Sequence, residues 1–278
     1  MMPLIDAAYA WQLVRDARDA PSGEVFTPVS GLSIASDGTW QAAALCVTDD
    51  AAALLNTLLP VARGGPSYVV AQLGQSLDGR IATASGHSYY VTGEASRVHL
   101  HRLRALVDAV LIGVGTLEAD DPQLTVRHVS GAHPVRVVLE PNARASASRR
   151  LFCDDGPPTW HLIGADQTAL PGVRTQYLTR SDDGRIDPAS VLAALAEHGM
   201  GRVLIEGGGQ TISGFIAANC VDRLHTVVAP LLIGSGRPGL SLPEIETLHQ
   251  ARRPVCRDYP MGDDRLYDLD LTTEIAPG

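Results

Sequence analysis

Hydrophobic and polar positions along this chain fall into two kinds of block. Short apolar runs read as buried strands, and longer stretches with apolar residues three or four apart read as amphipathic helices. Up to about Pro66 the blocks are irregular. Residues 7–20 predict a helix, and residues 31–48 hold short apolar runs broken by Ser36-Asp37-Gly38, a turn signal that predicts a hairpin. Residues 51–59 predict a short helix, and Arg63-Gly64-Gly65-Pro66 has the composition of a linker.

From Ser67 onward strands and helices alternate. Tyr68-Val69-Val70-Ala71 predicts a buried strand, and residues 76–82 a turn leading into a second short strand. Thr92 is placed to cap a helix with Glu94 in its first turn and Val98, Leu103, Leu106 and Val107 on its inner face. Further strands are predicted over 108–114, 135–139, 159–163 and 173–178. Asp187-Pro188 starts a helix, an N-cap followed by proline, with Val191, Leu192 and Leu195 buried and Gly199 as its stop. Residues 203–206 predict a strand, then Gly207-Gly208-Gly209 and a helix to Ala218. Two late strands, 224–229 and 266–271, have no helix between them. This alternation predicts an α/β domain with a mostly parallel sheet and an antiparallel C-terminal edge. The expected division is a small appendage over residues 1–66 and the α/β domain over residues 67–278.

Composition then narrows the function. The 278 residues are 45% hydrophobic, enough for a sizeable core, and the formal net charge of -9 argues against a general nucleic-acid or membrane-surface binder. All 22 basic residues are arginine. Without lysine there is no Schiff base, no intact Walker A loop and no kinase strand lysine. Cys46, Cys153, Cys220 and Cys256 show no C-x-x-C spacing, and no basic leader precedes the first helix, so a reducing cytoplasm is expected. No apolar run is long enough to span a bilayer. H-E-x-x-H, G-x-S-x-G and EF-hand patterns are absent, and His99 and His101 point in different directions on a helix.

Four segments join a strand end to glycines and polar groups, where ligands sit in open α/β sheets. Residues 72–80 form either a plain turn or a pocket-lining loop. In residues 112–122, glycines at a strand end precede Thr116, which could cap a helix facing a phosphate; Glu118 holds the third glycine's place, so a Rossmann fingerprint is absent. Glu206, directly before three glycines and a helix, is hard to explain as packing, and that glycine-rich entrance suits a pyrophosphate. Residues 230–238 are either a phosphate-facing loop or a tight connection.

Together these segments carry a resemblance. Ser-Leu-Asp-Gly-Arg-Ile-Ala (76–82), Ser85-Gly86-His87-Ser88, Leu103-Arg104-Ala105, Gly115-Thr116, Ala119-Asp120-Asp121-Pro122 with Leu124-Thr125-Val126-Arg127, Ile205-Glu206-Gly207-Gly208, and Ala229-Pro230 with Ile233-Gly234 occur in that order. The chain from about Ser67 resembles the reductase domain of the bifunctional riboflavin-biosynthesis deaminase/reductase, a relative of dihydrofolate reductase. The resemblance implies a dihydrofolate-reductase-like, three-layer α/β/α fold, NADPH as hydride donor and a homodimer. It implies reduction of the ribosylamino group of 5-amino-6-(5-phosphoribosylamino)uracil to the ribitylamino product.

By matching position, the resemblance places Ser88, Arg104, Leu124, Arg127 and Glu206 at the substrate, with Asp120 and Glu206 as the catalytic carboxylates. Gln75, Tyr90, Thr116, Asp120 and Pro141 fall at cofactor positions, as do Gly208, Gly209, Gln210, Thr211, Ile212, Ser213 and Gly214. Arg104 and Arg127 suit a substrate phosphate, which a guanidinium binds bidentately. Arg144, Arg149 and Arg150 suit either the cofactor 2′-phosphate or a solvated turn.

Two departures stand out. Gln72 holds a place where the family usually has lysine, which opens the alternative of a reductase acting on another pterin-like or sugar-amine substrate. Residues 1–66 contain no histidine and only Cys46, so the zinc deaminase of the bifunctional enzyme is not expected, nor any metal. A nucleotide-binding module without turnover is the rival from another class; a phosphate-ester hydrolase would need a metal cluster or an activated nucleophile, and neither is visible.

Overall fold

In the computed structural model, which describes residues 3–89 and 91–274, local signals and long-range pairing divide the work. β1 (Leu4–Ile5) leads into α1 (Ala7–Asp19), whose N-cap Asp6 accepts a hydrogen bond from the Tyr9 N–H. β2 (Phe26–Val29), β3 (Leu32–Ile34) and β4 (Trp40–Ala42) form a small antiparallel sheet, and β3–β4 is the hairpin expected at Ser36-Asp37-Gly38. β5 (Cys46–Val47) pairs in parallel with β1. α2 (Asp49–Arg63) starts at its cap Thr48 and runs past the apolar stretch through Pro60. Its last residue, Arg63, donates to the carbonyls of Ala17, Ala20, Pro21 and Glu24, which ties the end of α2 to the end of α1.

The rest of the chain builds the main sheet. The elements are β6 (Tyr68–Ser76), β7 (Arg80–Ala82), α3 (Glu94–Leu106), β8 (Ala109–Gly113), α4 (Val114–Asp120), β9 (Val135–Leu139) and α5 (Arg150–Cys153). They continue with β10 (Thr159–Gly164), β11 (Arg174–Leu178), α6 (Pro188–Glu197), β12 (Arg202–Glu206), α7 (Gly209–Ala217) and β13 (Arg223–Ala229). β14 (Arg237–Pro238) pairs antiparallel with β7 in a separate two-stranded sheet, and β15 (Pro254–Met261) and β16 (Asp264–Glu274) are the last strands. The nine-stranded sheet has the order β11-β10-β9-β8-β12-β6-β13-β16-β15. It is parallel from β11 to β13, and β16 and β15 close the other edge antiparallel.

Strand alternation sorts the core into two faces. Val70, Val110, Ile112, Val138 and Leu204 share one hydrophobic cluster with Leu103 and Leu106 of α3, Leu13 of α1 and Leu55 and Leu58 of α2. Val69, Ala71, Leu111, Val137 and Ile205 share the other with Val191 of α6 and Ile212 and Phe215 of α7. Helices on both faces give the three-layer α/β/α arrangement expected, with its mostly parallel sheet and antiparallel edge. Residues 3–63 pack into the first of these clusters.

Three details differ from the expectations. α3 is capped by Gly93 rather than Thr92, and no side chain caps it. Its inner face is polar as well as apolar: Ser96, His99 and Arg104 are buried, whereas Val98 is only half-buried. β15 was not anticipated, because its burial alternates weakly and its place is set by pairing with β16.

The topology leaves a crevice. The chain winds outward through β8, β9, β10 and β11, then returns to insert β12 between β8 and β6. β12 stops at Glu206, opposite Gln72, while β6 and β13 run on side by side to Ser76 and Ala229. The space beyond the end of β12 is therefore walled by α4 on one side and the extended β6 on the other, the usual ligand position of an open α/β sheet.

Candidate active site

Glu206 ends β12 because glycines follow it: Gly207 has φ +88, a left-handed conformation. Its carboxylate is buried, and Arg104 of α3 holds it through two hydrogen bonds, Nε to Oε1 and Nη2 to Oε2, each 2.7 Å. A third Arg104 bond, from Nη1 to the Thr125 carbonyl, spans 3.0 Å and links the pair to the loop after α4. Arg104 is thus engaged by Glu206 rather than left open, and it orients that carboxylate at the floor of the crevice.

The loop after α4 carries the next group. Asp121 and Leu124 adopt φ +38 and +53. For a branched residue such as Leu124 this is costly, and its burial at 2% exposure holds it in place. Arg127 is exposed, its N–H donating to His101 Nδ1 and its guanidinium to Gln123 and Thr125. Burial, then the nearby Arg104 and Arg150 cations, lower its pKa from the ordinary arginine value. Because Arg127 is exposed, the neighbouring cations are the more telling cause: Arg104 is neutralised by Glu206, which leaves Arg127 and Arg150 as a positive mouth. The Arg150 N–H donates to Asp121, which fixes the start of α5 beside this loop. Ser88 reaches Asp120, at the end of α4, with a 3.3 Å hydrogen bond.

The opposite wall is the start of α7. Thr116 does not cap its own helix; that position is Gly113. Its hydroxyl instead accepts the Gly208 N–H at 2.8 Å, so it caps the entrance of α7. A Cβ at Gly207 would collide with the Thr116 hydroxyl, which explains the glycine. Gly209 and Gln210, the first residues of α7, are left as the N–H groups that precede the helical ladder, and the first turn holds no acidic residue. Thr211 packs on Gly113, so both loops approach closely. Gly214 and Gln210 are exposed. Ile212 is fully buried in the core, and the buried Ser213 hydroxyl accepts the Ser241 N–H. The side chains of these two residues are therefore taken up by the fold, and only their backbone is left for a ligand at the start of α7.

Other expected positions are dispersed along the same rim. Gln75 is half-buried on the extended β6, against Gly239. Pro141 follows β9, and its carbonyl accepts the Gly164 N–H at 3.1 Å. Tyr90 lies outside the described residues. A cavity of about 520 Å³ opens between the entrance of α3 and the end of β13, lined by Val91, Thr92, Gly93, Ala229, Pro230 and Leu231 among others.

Two of the glycine-containing segments turn out to hold each other. Asp78 accepts the Ser76 hydroxyl and the N–H groups of Ile233 and Gly234, at 2.5, 3.1 and 2.6 Å. These bonds hold its pKa at about 2. The 230–238 loop is therefore latched by a carboxylate where a phosphate would otherwise have suited its N–H groups.

Sequence reasoning missed a buried polar row beside Glu206. Gln72 pairs in register with Glu206 on one side and His225 on the other, and His225 with Asp268. Paired residues share a face. His225 Nδ1 meets His99 Nε2 at 2.9 Å, and Asp268 takes two bonds from Arg223, at 2.5 and 2.6 Å. Burial favours raising the Asp268 pKa, but the His225 imidazole 3.3 Å away and the Arg223 bonds hold it at about 2. Gln72 Oε1 is buried with no hydrogen-bond partner among the described residues. A second carboxylate, Glu140, lies against His161 at 2.9 Å and accepts the Arg144 and Ala145 N–H groups; burial opposes the shift, yet these bonds lower its pKa and shape the turn after Pro141. Alternate buried polar residues on a strand were the signal available. Among the described residues no group of His, Cys, Asp or Glu is arranged to hold a metal, and no helix is long and apolar enough to cross a membrane.

Comparison with known proteins fits this geometry. A profile of the family described as RibD C-terminal domain matches residues 67–257. The chain is 33% identical over 218 residues to the 2,5-diamino-6-ribosylamino-4(3H)-pyrimidinone 5′-phosphate reductase of Methanothermobacter thermautotrophicus, covering 73% of this chain and 98% of that protein. It is 35% identical over 180 residues to the riboflavin biosynthesis protein RibD of Bacillus amyloliquefaciens, covering 62% of this chain and 48% of that one. The chain thus spans about half the length of the RibD relatives it matches. Among solved structures, Acinetobacter baumannii RibD superposes with a TM-score of 0.64 at 26% identity, over 82% of this chain and 66% of that one. The Thermotoga maritima deaminase/reductase gives 0.63 at 23% identity over 82% and 64%, a likeness of fold alone.

Proposed function

Because this chain belongs to the RibD C-terminal domain family, we propose that it is an NADPH-dependent reductase of a phosphorylated ribosylamino-pyrimidine. The favoured reaction converts 5-amino-6-(5-phosphoribosylamino)uracil to its ribitylamino counterpart. The observation that carries it is the crevice beyond β12, where a buried, arginine-held Glu206 lies between a cationic mouth and an acid-free helix start.

The residues present fit a dinucleotide. Gly207 and Gly208 bring the backbone against Thr116, and the N–H groups of Gly209 and Gln210 with the α7 dipole suit a pyrophosphate. When bound, NADPH supplies the hydride that reduces C1 of the ring-opened sugar, and a proton goes to the adjoining nitrogen. The chain's own part is placement. Arg127 and Arg150 attract the 5′-phosphate, Arg104 fixes Glu206 near the sugar, and Ser88 and Asp120 border the donor side. Asp120 and Glu206 are the carboxylates that hold or pass the proton.

A second reading has one observation in its favour. The buried, unpartnered Gln72 Oε1 is an acceptor. A 2,5-diamino-pyrimidinone offers an amino donor where uracil offers a carbonyl. Loss of NADPH absorbance, measured with each pyrimidine in turn and with NADH as the comparison donor, separates the two. Oxidation with neither, despite tight NADPH binding, would leave a non-catalytic nucleotide-binding module.

The assembly expected is a homodimer. Leu77, Leu231 and Leu232 stand 68, 41 and 71% exposed on two loops joined by the Leu77 N–H to Leu231 carbonyl bond, and supply apolar surface for it. The free cysteines suit a reducing cytoplasm.

A further inference from the structure

We propose that the N-terminal segment braces the loop that carries Leu124 and Arg127, and that Trp11 is the positioning residue through which it does so. The proposal rests on the reading of that loop as part of the substrate site. Trp11 lies on α1, 7% exposed, and its indole N–H donates to the Ser130 carbonyl at 3.1 Å, 119 residues away in sequence. A buried indole N–H needs an acceptor, and here the acceptor is the backbone of the site loop. Two cations stand over the ring: the Arg15 and Arg102 guanidiniums each lie 5.9 Å from its centroid. Arg102 belongs to α3, so Trp11 is wedged between α1 and the helix that carries Arg104.

The loop reaches Trp11 already pinned elsewhere. The Val126 N–H donates to His133 and the Arg127 N–H to His101, both at 3.0 Å. Gly131, next to Ser130, sits so close to α3 that a Cβ there would lie 2.5 Å from the Ala105 Cβ. Leu124 and Val126 are buried in the same cluster as Leu13, Val14, Leu55 and Leu58 of α1 and α2. The segment from Asp121 to Gly131 has no regular structure of its own and holds Asp121 and Leu124 at positive φ. Such a backbone persists only where its surroundings determine it. Among the described residues, the side-chain hydrogen bond from residues 3–63 to this loop comes from Trp11, and its acceptor lies three residues beyond Arg127.

The test is Trp11→Phe in the full chain, which keeps the aromatic body and removes the donor. Hydrogen–deuterium exchange of peptides covering 121–131 should quicken about fivefold, the factor that one lost hydrogen bond supports, while β9 and β10 stay unchanged. In turnover assays KM for the pyrimidine should rise by a similar factor, with kcat and the NADPH KM within about twofold of wild type. Unchanged exchange in 121–131, or an equal rise in β9 and β10, would overturn the brace, because the latter is plain destabilisation. Equal loss in kcat and in NADPH KM would overturn the positioning role. If the wild-type chain turns over neither pyrimidine, the proposed reaction fails, and the exchange experiment still decides the brace.

Discussion

Arg104 and Glu206 lock together through two 2.7 Å hydrogen bonds, with side chains 8 and 6% exposed, at the point where α3 meets the last residue of β12. A buried ion pair of this kind is weak evidence for stability, since desolvation offsets most of the attraction. Breaking it is another matter. In Glu206→Gln the Arg104 charge stays buried without its counterion, which costs about 3–5 kcal/mol. The expected outcome is a lower thermal midpoint and a fall in kcat on the order of a hundredfold, with the NADPH dissociation constant changed far less. Turnover equal to wild type at saturating pyrimidine would remove Glu206 from the chemistry.

Arg127 differs from Arg104 in that, among the described residues, its guanidinium donates to the neutral Gln123 and Thr125 and forms no direct ion pair. Its guanidinium is therefore available to an incoming anion. Arg127→Ala should raise the pyrimidine KM by roughly tenfold to a hundredfold, the range for one charge-assisted contact. A phosphate-free analogue of the substrate should lose most of that sensitivity. A larger change in NADPH affinity than in pyrimidine KM would show that Arg127 serves the other ligand.

Thr116→Val tests the cofactor wall. The substitution keeps the shape at Gly207 and removes the acceptor for the Gly208 N–H. One lost hydrogen bond loosens the start of α7, and NADPH affinity should weaken about fivefold with the pyrimidine KM little moved. Fluorescence titration of NADPH checks it, and an unchanged dissociation constant would mean that the Gly208 turn stays in place without Thr116.

What could be read in the sequence depended on how local its cause was. α6 was legible because Asp187, Pro188 and Gly199 mark both of its ends within its own turns. Glu206 was legible because a carboxylate between an apolar strand and three glycines has no packing explanation. β15 was not, since its existence rests on pairing with β16. Apolar spacing chose Val98 for the inner face of α3, but His99 and Arg104 face inward, because their partners His225 and Glu206 lie more than a hundred residues away. Which helix Thr116 serves was hidden for the same reason: its hydroxyl takes the Gly208 N–H at the entrance of α7, 92 residues on.

The buried histidines make stability depend on pH. Burial, then His225 and Arg102, hold the His99 pKa well below its ordinary value, and burial with Arg104 and Arg127 holds His101 at about 3. In the unfolded chain both titrate near 6.5. The unfolded state therefore binds more protons below that pH, and stability, complete above it, is lost as the pH falls, for His101 down to about 3. Each histidine contributes a slope of up to about 1.4 kcal/mol per pH unit. Asp268 and Glu140 act in the same direction but only below about pH 4, where unfolded carboxylates protonate. The urea midpoint should thus drop between pH 7 and 5, and His99→Gln should flatten that drop. A midpoint constant across this range would show that His99 and His101 protonate equally in both states.

Gln72 supplies the sharpest division between a structural and a functional role. It is 6% exposed, flanked in register by Glu206 and His225, and its Oε1 has no hydrogen-bond partner among the described residues. A buried acceptor left unmade costs about 1–3 kcal/mol. A fold retains such a group where something else completes it, and the adjoining crevice is where a substrate donor would come. Gln72→Met keeps the length of the side chain and removes the acceptor. The expected result is a protein about 1 kcal/mol more stable, with a pyrimidine KM roughly tenfold higher and NADPH binding unchanged. The rise in KM should be steeper for whichever pyrimidine presents an amino group to Oε1. Higher stability with an unchanged KM would make Gln72 a tolerated core defect. Lower stability would mean that its amide is already engaged within the fold.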